Sequence, residues 1–271
     1  MDFTIKIYKM FLKAFLRGNY NHMSFYQIQK TIAQTFSDDK LTILRHDVDR
    51  LPINALKIAQ IEKENGIKGT YYFRIVPESY DIEIMKRIAE LGHEIGYHYE
   101  DVDLTIKNEK LKIKNERDKE KLIDLAYESF CKNLEMLKKN FDIDTICMHG
   151  SPLSKFDNKI IWEKYDYRKL GIIGEPYFDI DWDIFAYLTD TGRRWNGGKV
   201  SVRDKVNSEF KFDFKSTNDI IANIDKLPNK IMITVHPERW NNNFVPWVKQ
   251  LIVQNMKNII KKMILLSNQE A

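Results

Sequence analysis

Short apolar runs alternate along this chain with stretches in which apolar residues recur every three or four positions. The first pattern suits strands and the second amphipathic helices. Their alternation suits strands joined by helices in a parallel sheet. Leu41 to Leu44 is the first expected strand. Pro52 fits the first turn of the next helix, where its missing N–H leaves nothing unpaired. Ala55, Ile58, Ala59 and Glu62 keep helical spacing until Gly66 stops it. Thr70 to Arg74, β-branched and aromatic, is the second strand. Asp81 opens a helix that runs through Leu91 and stops at Gly92, and His93 to Tyr97 is the third strand. A long amphipathic helix follows, with Leu122, Leu125, Ala126, Phe130, Leu134 and Leu137 on one face. Asp144 to Met148 is a fourth strand. Short strands are expected at Gly171 to Ile173 and Phe185 to Thr189, within an otherwise irregular stretch over 150–214, and a short helix at Asn218 to Ile224. Ile231 to Val235 is continuously apolar, as in a strand covered on both faces. Val245, Val248, Ile252, Met256, Ile259 and Met263 mark a C-terminal helix over 243–268.

No repeat or Pro/Gly/Ser-rich linker interrupts this pattern, so one domain over 1–271 is expected, with 1–38 as an N-terminal helical extension. A chain of 271 residues is ordinary for a single α/β barrel. The start, through Tyr20, is apolar with interspersed Lys and Arg. It has neither an uninterrupted apolar core nor a small-residue cleavage site, so it does not read as a signal peptide. It suits an amphipathic helix resting on the barrel or on a membrane surface. No run reaches the ~20 apolar residues of a membrane span.

Composition narrows the function classes. A net charge of +4 is mildly basic, and neither a zinc-finger spacing nor an arginine-rich arm is present, so nucleic acid is not the expected partner. The lysines from Lys107 to Lys121 alternate with Glu and Asp, as on a solvated helix face. Two cysteines, Cys131 and Cys147, do not make a disulfide framework and suit a reducing compartment. A cytoplasmic location is the expectation. Oligomeric state leaves no mark on the sequence.

The polar residues that can do chemistry fall just after the expected strands: Asp47 and Asp49, Arg74, His98, His149 and His236. In a β/α barrel the strand C-termini form one rim, and active sites sit there. Asp47 and Asp49 lie two apart, so in an extended segment they point to the same side. Two close carboxylates repel unless a cation or proton lies between them. Asp49 is equally a candidate cap for the helix that begins near Pro52. His93 and His98 are five apart and face opposite ways. His98, at the strand end, is the better ligand candidate, while His93 falls at the opposite rim, where residues serve stability. Glu100, Asp101 and Asp103 follow as further oxygen donors.

In order, Arg45-His46-Asp47-Val48-Asp49, Gly69-Thr70-Tyr71-Tyr72-Phe73, Gly92-His93-Glu94-Ile95-Gly96-Tyr97-His98 and Ile233-Thr234-Val235-His236-Pro237 resemble the blocks of the polysaccharide deacetylase (NodB-homology, carbohydrate esterase family 4-like) superfamily. The resemblance spans Leu41 to Pro237. It implies a deformed (β/α) barrel of mostly parallel strands. It also implies metal-dependent removal of an acyl group, typically acetyl, from an amino sugar or glycan precursor. Asp47 matches the family's general base, Asp49 and His98 its metal ligands, and His236 its catalytic acid. The implied cofactor is a divalent metal: zinc, or nickel, cobalt or iron. Val102 stands where the second histidine of the family's metal motif belongs. The third ligand is therefore assigned to His149, with Asp101 and Asp103 as alternatives. The family's aspartate-tryptophan block has no clear counterpart. Thr189 to Trp195 is placed there instead, so Arg74, Asp190, Arg193 and Trp195 are the expected substrate-binding residues. Two other readings fit the same residues. One is an inactive glycan-binding barrel with Tyr72, Trp182 and Trp195 as stacking platforms. The other is an amidase acting on a small non-sugar C–N bond.

Overall fold

The computed structural model describes residues 1–31, 39–151, 154–195 and 203–267, without the side chains of 264–267. Residues 32–38 of the expected extension, Pro152 and residue 268 lie outside these. Seven strands are described: β1 (Asn21–Met23), β2 (Leu41–Val48), β3 (Thr70–Phe73), β4 (Glu94–Tyr99), β5 (Ile146–Met148), β6 (Ala186–Thr189) and β7 (Lys230–Val235). They form one parallel sheet, six of them in the order β5-β4-β3-β2-β7-β6 and β1 paired with β2 off that path. The sheet curls into an α/β deformed half-barrel with helices on its outside.

β2 is the pivot. Its eight residues are all buried. β7 pairs with its first six, while β1 and then β3 share its other edge, β1 along Leu41–Ile43 and β3 along Arg45–Val48. The strand is longer than the expected Leu41 to Leu44, so His46 and Asp47 belong to it. The third expected strand likewise runs on to Tyr99 and takes in His98. Gly96 makes that pairing possible. It faces Tyr72 across the sheet, and a Cβ there would come within 2.3 Å of the Tyr72 ring.

The helices are α1 (Ile5–Arg17), α2 (Phe25–Thr31), α3 (Pro52–Glu64), α4 (Ile82–Glu90), α5 (Asp101–Asn108), α6 (Glu116–Lys138), α7 (Pro176–Asp179), α8 (Thr217–Ala222) and α9 (Phe244–Ser267). α1 buries Tyr8, Phe11, Leu12 and Phe15. At ~1.5–3 kcal/mol per large apolar side chain, that burial holds the N-terminal helix on the barrel rather than on a membrane surface. The extension is not wholly helical, since β1 joins the sheet beside β2. Leu51, not Asp49, stands at the N-cap of α3, with φ of 54° and no side-chain cap, which leaves the Asp49 carboxylate for other partners. The strand expected at Gly171 to Ile173 does not form. A 3₁₀ turn over Tyr167–Leu170 ends on Gly171 at φ 77°, and the left-handed residue breaks the extended run. Only an isolated bridge, Thr145 with Gly174, remains there.

Candidate functional site

The strand C-termini deliver polar side chains to one small cavity of about 60 Å³, lined among others by Asp47, Asp49, His98, His149, His236 and Arg239. Period-two alternation builds the first part. Arg45 and Asp47 share a face of β2, and Arg45 grips Asp47 with two hydrogen bonds, Nε to Oδ1 at 2.8 Å and Nη2 to Oδ2 at 2.7 Å. Burial works to raise the Asp47 pKa. Arg45 first, then His98 and His236, outweigh it and hold the carboxyl at about 2. A buried bidentate guanidinium is a strong, oriented partner. Arg45 itself also donates to Tyr177 Oη at 3.2 Å and lies 4.0 Å from Asp204.

Just beyond β2 the chain turns back on itself, with Asp49 N–H donating to Asp47 O at 3.1 Å. Asp49 Oδ1 is buried and has no hydrogen-bond partner. It lies 3.6 Å from His98 Nε2 and 3.5 Å from His149 Nε2. The far side of each imidazole is occupied. His98 Nδ1 donates to the Cys147 carbonyl at 2.9 Å, which turns Nε2 toward Asp49. His149 Nδ1 lies 3.3 Å from Glu100 Oε2, and Glu100 is in turn held by Arg74 through Nε and Nη2 at 2.8 and 2.7 Å. Burial opposes ionisation of Glu100, but His149 and then Arg74 bring its pKa down to about 2. Burial opposes ionisation of Asp49 too, and the neighbouring histidines, His149 first, hold it well below the usual carboxylate range.

The residues fit a divalent cation. Asp49, His98 and His149 present one oxygen and two nitrogens within 4.8 Å of one another. An unpaired buried carboxylate oxygen between two imidazole nitrogens is a point that calls for positive charge. Two histidines and a carboxylate suit zinc, as they do iron, cobalt or nickel. A second triad, Asp47, His98 and Cys147, shares His98. There burial pushes the Cys147 thiol up and Arg45 already occupies both Asp47 oxygens, so it is the poorer donor set.

The opposite wall is built around Asp190, directly after β6. It is fully buried and accepts from His236 Nδ1 at 2.6 Å, Arg239 Nη1 at 2.8 Å and Trp240 Nε1 at 2.8 Å. Burial and Arg239 lower the pKa of His236. Asp190 outweighs both, so the ring keeps its proton to higher pH than a free histidine.

Several expected site residues sit elsewhere. Asp101 turns away, accepting from Tyr97 Oη at 2.6 Å, Ser129 Oγ at 2.8 Å and Asn133 Nδ2 at 2.8 Å. Asp103 receives Asn158 Nδ2 at 2.8 Å and belongs to neither metal triad. Of the three candidates for the third position, His149 is the one that stands with Asp49 and His98 among the described residues. Asp190 lines neither cavity, and its oxygens accept from His236, Arg239 and Trp240. Arg193 is pinned away from the small cavity, its guanidinium stacked over Phe3 and Trp247 and donating to Trp247 O at 3.0 Å. Trp195 is core: 3% exposed, packed on Phe11 and Phe3, with Nε1 donating to Thr217 Oγ1 at 2.8 Å. Tyr72 is also core, its hydroxyl 2.9 Å from Thr145 Oγ1. Trp182 packs on Tyr187 and does not line the cavity. Arg74 does face the approach. It lines a larger cavity of about 630 Å³ that shares Asp49, His149, Gly150, Arg239 and Lys261 with the small one.

Arg45, Arg239 and Asp204 stand at the site without being among the residues expected there. The two-residue offset from Asp47 was a usable signal for Arg45. Asp204, which accepts from Tyr177, Thr189 and Thr191, lies in the irregular stretch and carries no such signal.

No family model and no curated protein matches this chain. Among solved structures, a mutant of a CE4 family pseudoenzyme with restored enzymatic activity resembles it at 14% identity and a TM-score of 0.37, over 83% of this chain. This chain spans 64% of that protein's length.

Proposed function

We propose that this protein is a metal-dependent hydrolase that removes an acyl group, typically acetyl, from an amino sugar or glycan precursor. The observation that carries the reading is the unpaired Asp49 oxygen between His98 Nε2 and His149 Nε2, beside the ionised Asp47 and the protonatable His236. Asp49, His98 and His149 would hold the cation, which when bound supplies Lewis-acid polarisation of a carbonyl and of water.

The chain's own residues supply the rest. Asp47, ionised at any physiological pH and held in place by Arg45, accepts a proton from the attacking water. Its low pKa makes it a weak base, so position must do what basicity does not. The water oxygen bonds to the acyl carbon, and the bond from that carbon to the leaving nitrogen or oxygen breaks. His236, which Asp190 lets keep its proton to higher pH than a free histidine, gives that proton to the leaving amine or alcohol. The products are a carboxylate and the freed sugar. The 630 Å³ cavity beside the site is of the size that holds a small ligand.

The glycan-binding reading loses its platforms, because Tyr72, Trp182 and Trp195 do not line the cavity. An amidase on a small substrate would use the same groups. The deciding measurement is metal content by elemental analysis of the wild type and of Asp49→Ala, followed by acetate release from N-acetylated and O-acetylated sugars. About one metal per chain, lost in Asp49→Ala, with acetate release only by the loaded wild type, is expected. A wild type that takes up no divalent metal even when supplied with it sinks the proposal.

A further inference from the structure

The C-terminal helix α9 is inverted relative to an ordinary surface helix. Two of its polar residues face inward: Gln254 and Asn258 are each 4% exposed, Gln254 Nε2 donates to Asn258 Oδ1 at 2.9 Å, and Asn258 Nδ2 donates to Gly192 O at 2.9 Å. Its apolar residues face water. Ile252, Met256, Ile259 and Met263 are 55–62% exposed, and their three- and four-residue spacing makes one continuous stripe, which Val245 at 75% extends. α6, of similar length, does the reverse and buries Leu122, Ala126, Phe130 and Leu137. A contiguous exposed apolar face of this kind marks an interaction surface.

Charge decides what covers it. α9 carries Lys249, Lys257, Lys261 and Lys262 and no Asp or Glu. The stripe's spacing would also suit a second copy of α9, but two such helices would set lysine against lysine with no carboxylate to pair them. Lys6, Lys9, Lys13 and Arg17 on the adjoining α1 likewise have no acidic residue among them, in a chain whose net charge is only +4. The two helices meet at their starts, where Lys6 N–H donates to Asn242 Oδ1 at 3.3 Å and Trp247 Nε1 donates to Asp2 O at 2.7 Å. An apolar stripe on an all-basic helix fits a layer that is apolar within and anionic at its surface.

We propose that α9 docks on the anionic headgroup surface of a lipid bilayer. Lys257, Ile260 and Lys261 of the same helix line the larger cavity, so docking brings the mouth of that cavity to the lipid surface. Combined with the hydrolase reading, which docking itself does not need, this places the acyl group on a lipid-linked sugar.

The test is co-sedimentation of the full chain with two kinds of vesicle, phosphatidylcholine alone and phosphatidylcholine containing about one-third phosphatidylglycerol. Ile252→Ser/Met256→Ser/Ile259→Ser and Lys249→Gln/Lys262→Gln are run beside the wild type. All their side chains are exposed, so melting by circular dichroism should match the wild type. Binding is expected only to the anionic vesicles. It should fall about tenfold or more in the lysine variant and with added salt, and vanish in the stripe variant. No binding of the wild type to anionic vesicles at low salt overturns the proposal, as does binding that the stripe variant leaves unchanged. A concentration-dependent dimer that the stripe variant dissolves, seen by sedimentation velocity without vesicle binding, overturns it in favour of a second copy. Metal content is measured on the same samples and is expected to be unchanged, so failure of docking and failure of the hydrolase reading are told apart.

Discussion

Two histidine–carboxylate clusters grow from the same strands of this sheet. His46 and Asp47 are neighbours on β2 and point to opposite faces. His46 joins Glu62, Tyr8, Tyr71 and His93 beneath the sheet, while Asp47 joins Asp49, His98 and His149 at the rim. The buried cluster is saturated. Glu62 lies 2.8 Å from His46 Nε2, accepts from Tyr71 Oη at 2.7 Å and accepts from Tyr8 Oη as well. His46 Nδ1 reaches the Thr70 carbonyl at 3.2 Å, and the two nitrogens of His93 meet the Gly69 N–H and the Ala59 carbonyl. At the rim, Asp49 Oδ1 has no hydrogen bond and two imidazole nitrogens face it. The residue types are the same in the two places. What separates structure from chemistry is whether hydrogen-bonding capacity has been used up.

The comparison predicts that removing the centre of each cluster has opposite consequences. Glu62→Ala should cost about 3–5 kcal/mol of stability, because it strands buried polar partners, yet the surviving folded protein should keep its metal. Urea denaturation with parallel metal analysis checks both, and a cost below about 1 kcal/mol would break the contrast. Next in size is the orientation of His236. Asp190→Asn should lower turnover about 100-fold. In the proposed reaction His236 must be protonated, so activity is expected to fall as pH rises through its pKa. Without the Asp190 charge that pKa drops, and the basic limb of the pH–rate profile should move to lower pH.

A smaller effect tests which acidic residue belongs to the site. Burial raises Asp101 from 3.8 to about 6, despite hydrogen bonds from Tyr97, Ser129 and Asn133. A carboxyl whose folded pKa is raised contributes stability that is full below pH 3.8 and lost as pH rises through about 6. Asp101→Asn should remove that slope, worth on the order of 2 kcal/mol, and leave metal content untouched. Stability curves at pH 4 and pH 7 measure it, and metal loss in this variant would return Asp101 to the ligand set. The smallest change is expected for Asp49→Ala, whose metal-free stability should differ from wild type by about 1 kcal/mol or less, although it loses the metal.

The rim was legible because it depends on local order. Most of the apolar runs hand over to a segment carrying Asp, Arg or His, and that order survives even where the strand itself runs on, as β2 and β4 do. Asp47, Asp49, His98 and His236 were placed in this way. Asp101 and His149 could not be ranked from spacing, because the helical turn of α5 swings Asp101 toward α6 while β5 delivers His149 from a distant part of the chain. Arg193 and Trp195 looked like pocket residues because they follow a strand end. Gly192 and Arg193 both adopt positive φ, and the chain there leads into the aromatic layer of Phe3, Phe11 and Trp240 instead.

By itself, then, the sequence determined the parallel alternation of strands and helices and the polar groups that follow its apolar runs. Those follow from side-chain periodicity over a few residues. Tertiary structure alone decided which of these groups meet: the register that sets β5 beside β4, the pairing of β6 with β7 that brings Asp190 to His236, β1 slipping in beside β2, and the packing that turns Gln254 and Asn258 of α9 inward. Each of these depends on partners dozens of residues away, and no local pattern carries that distance.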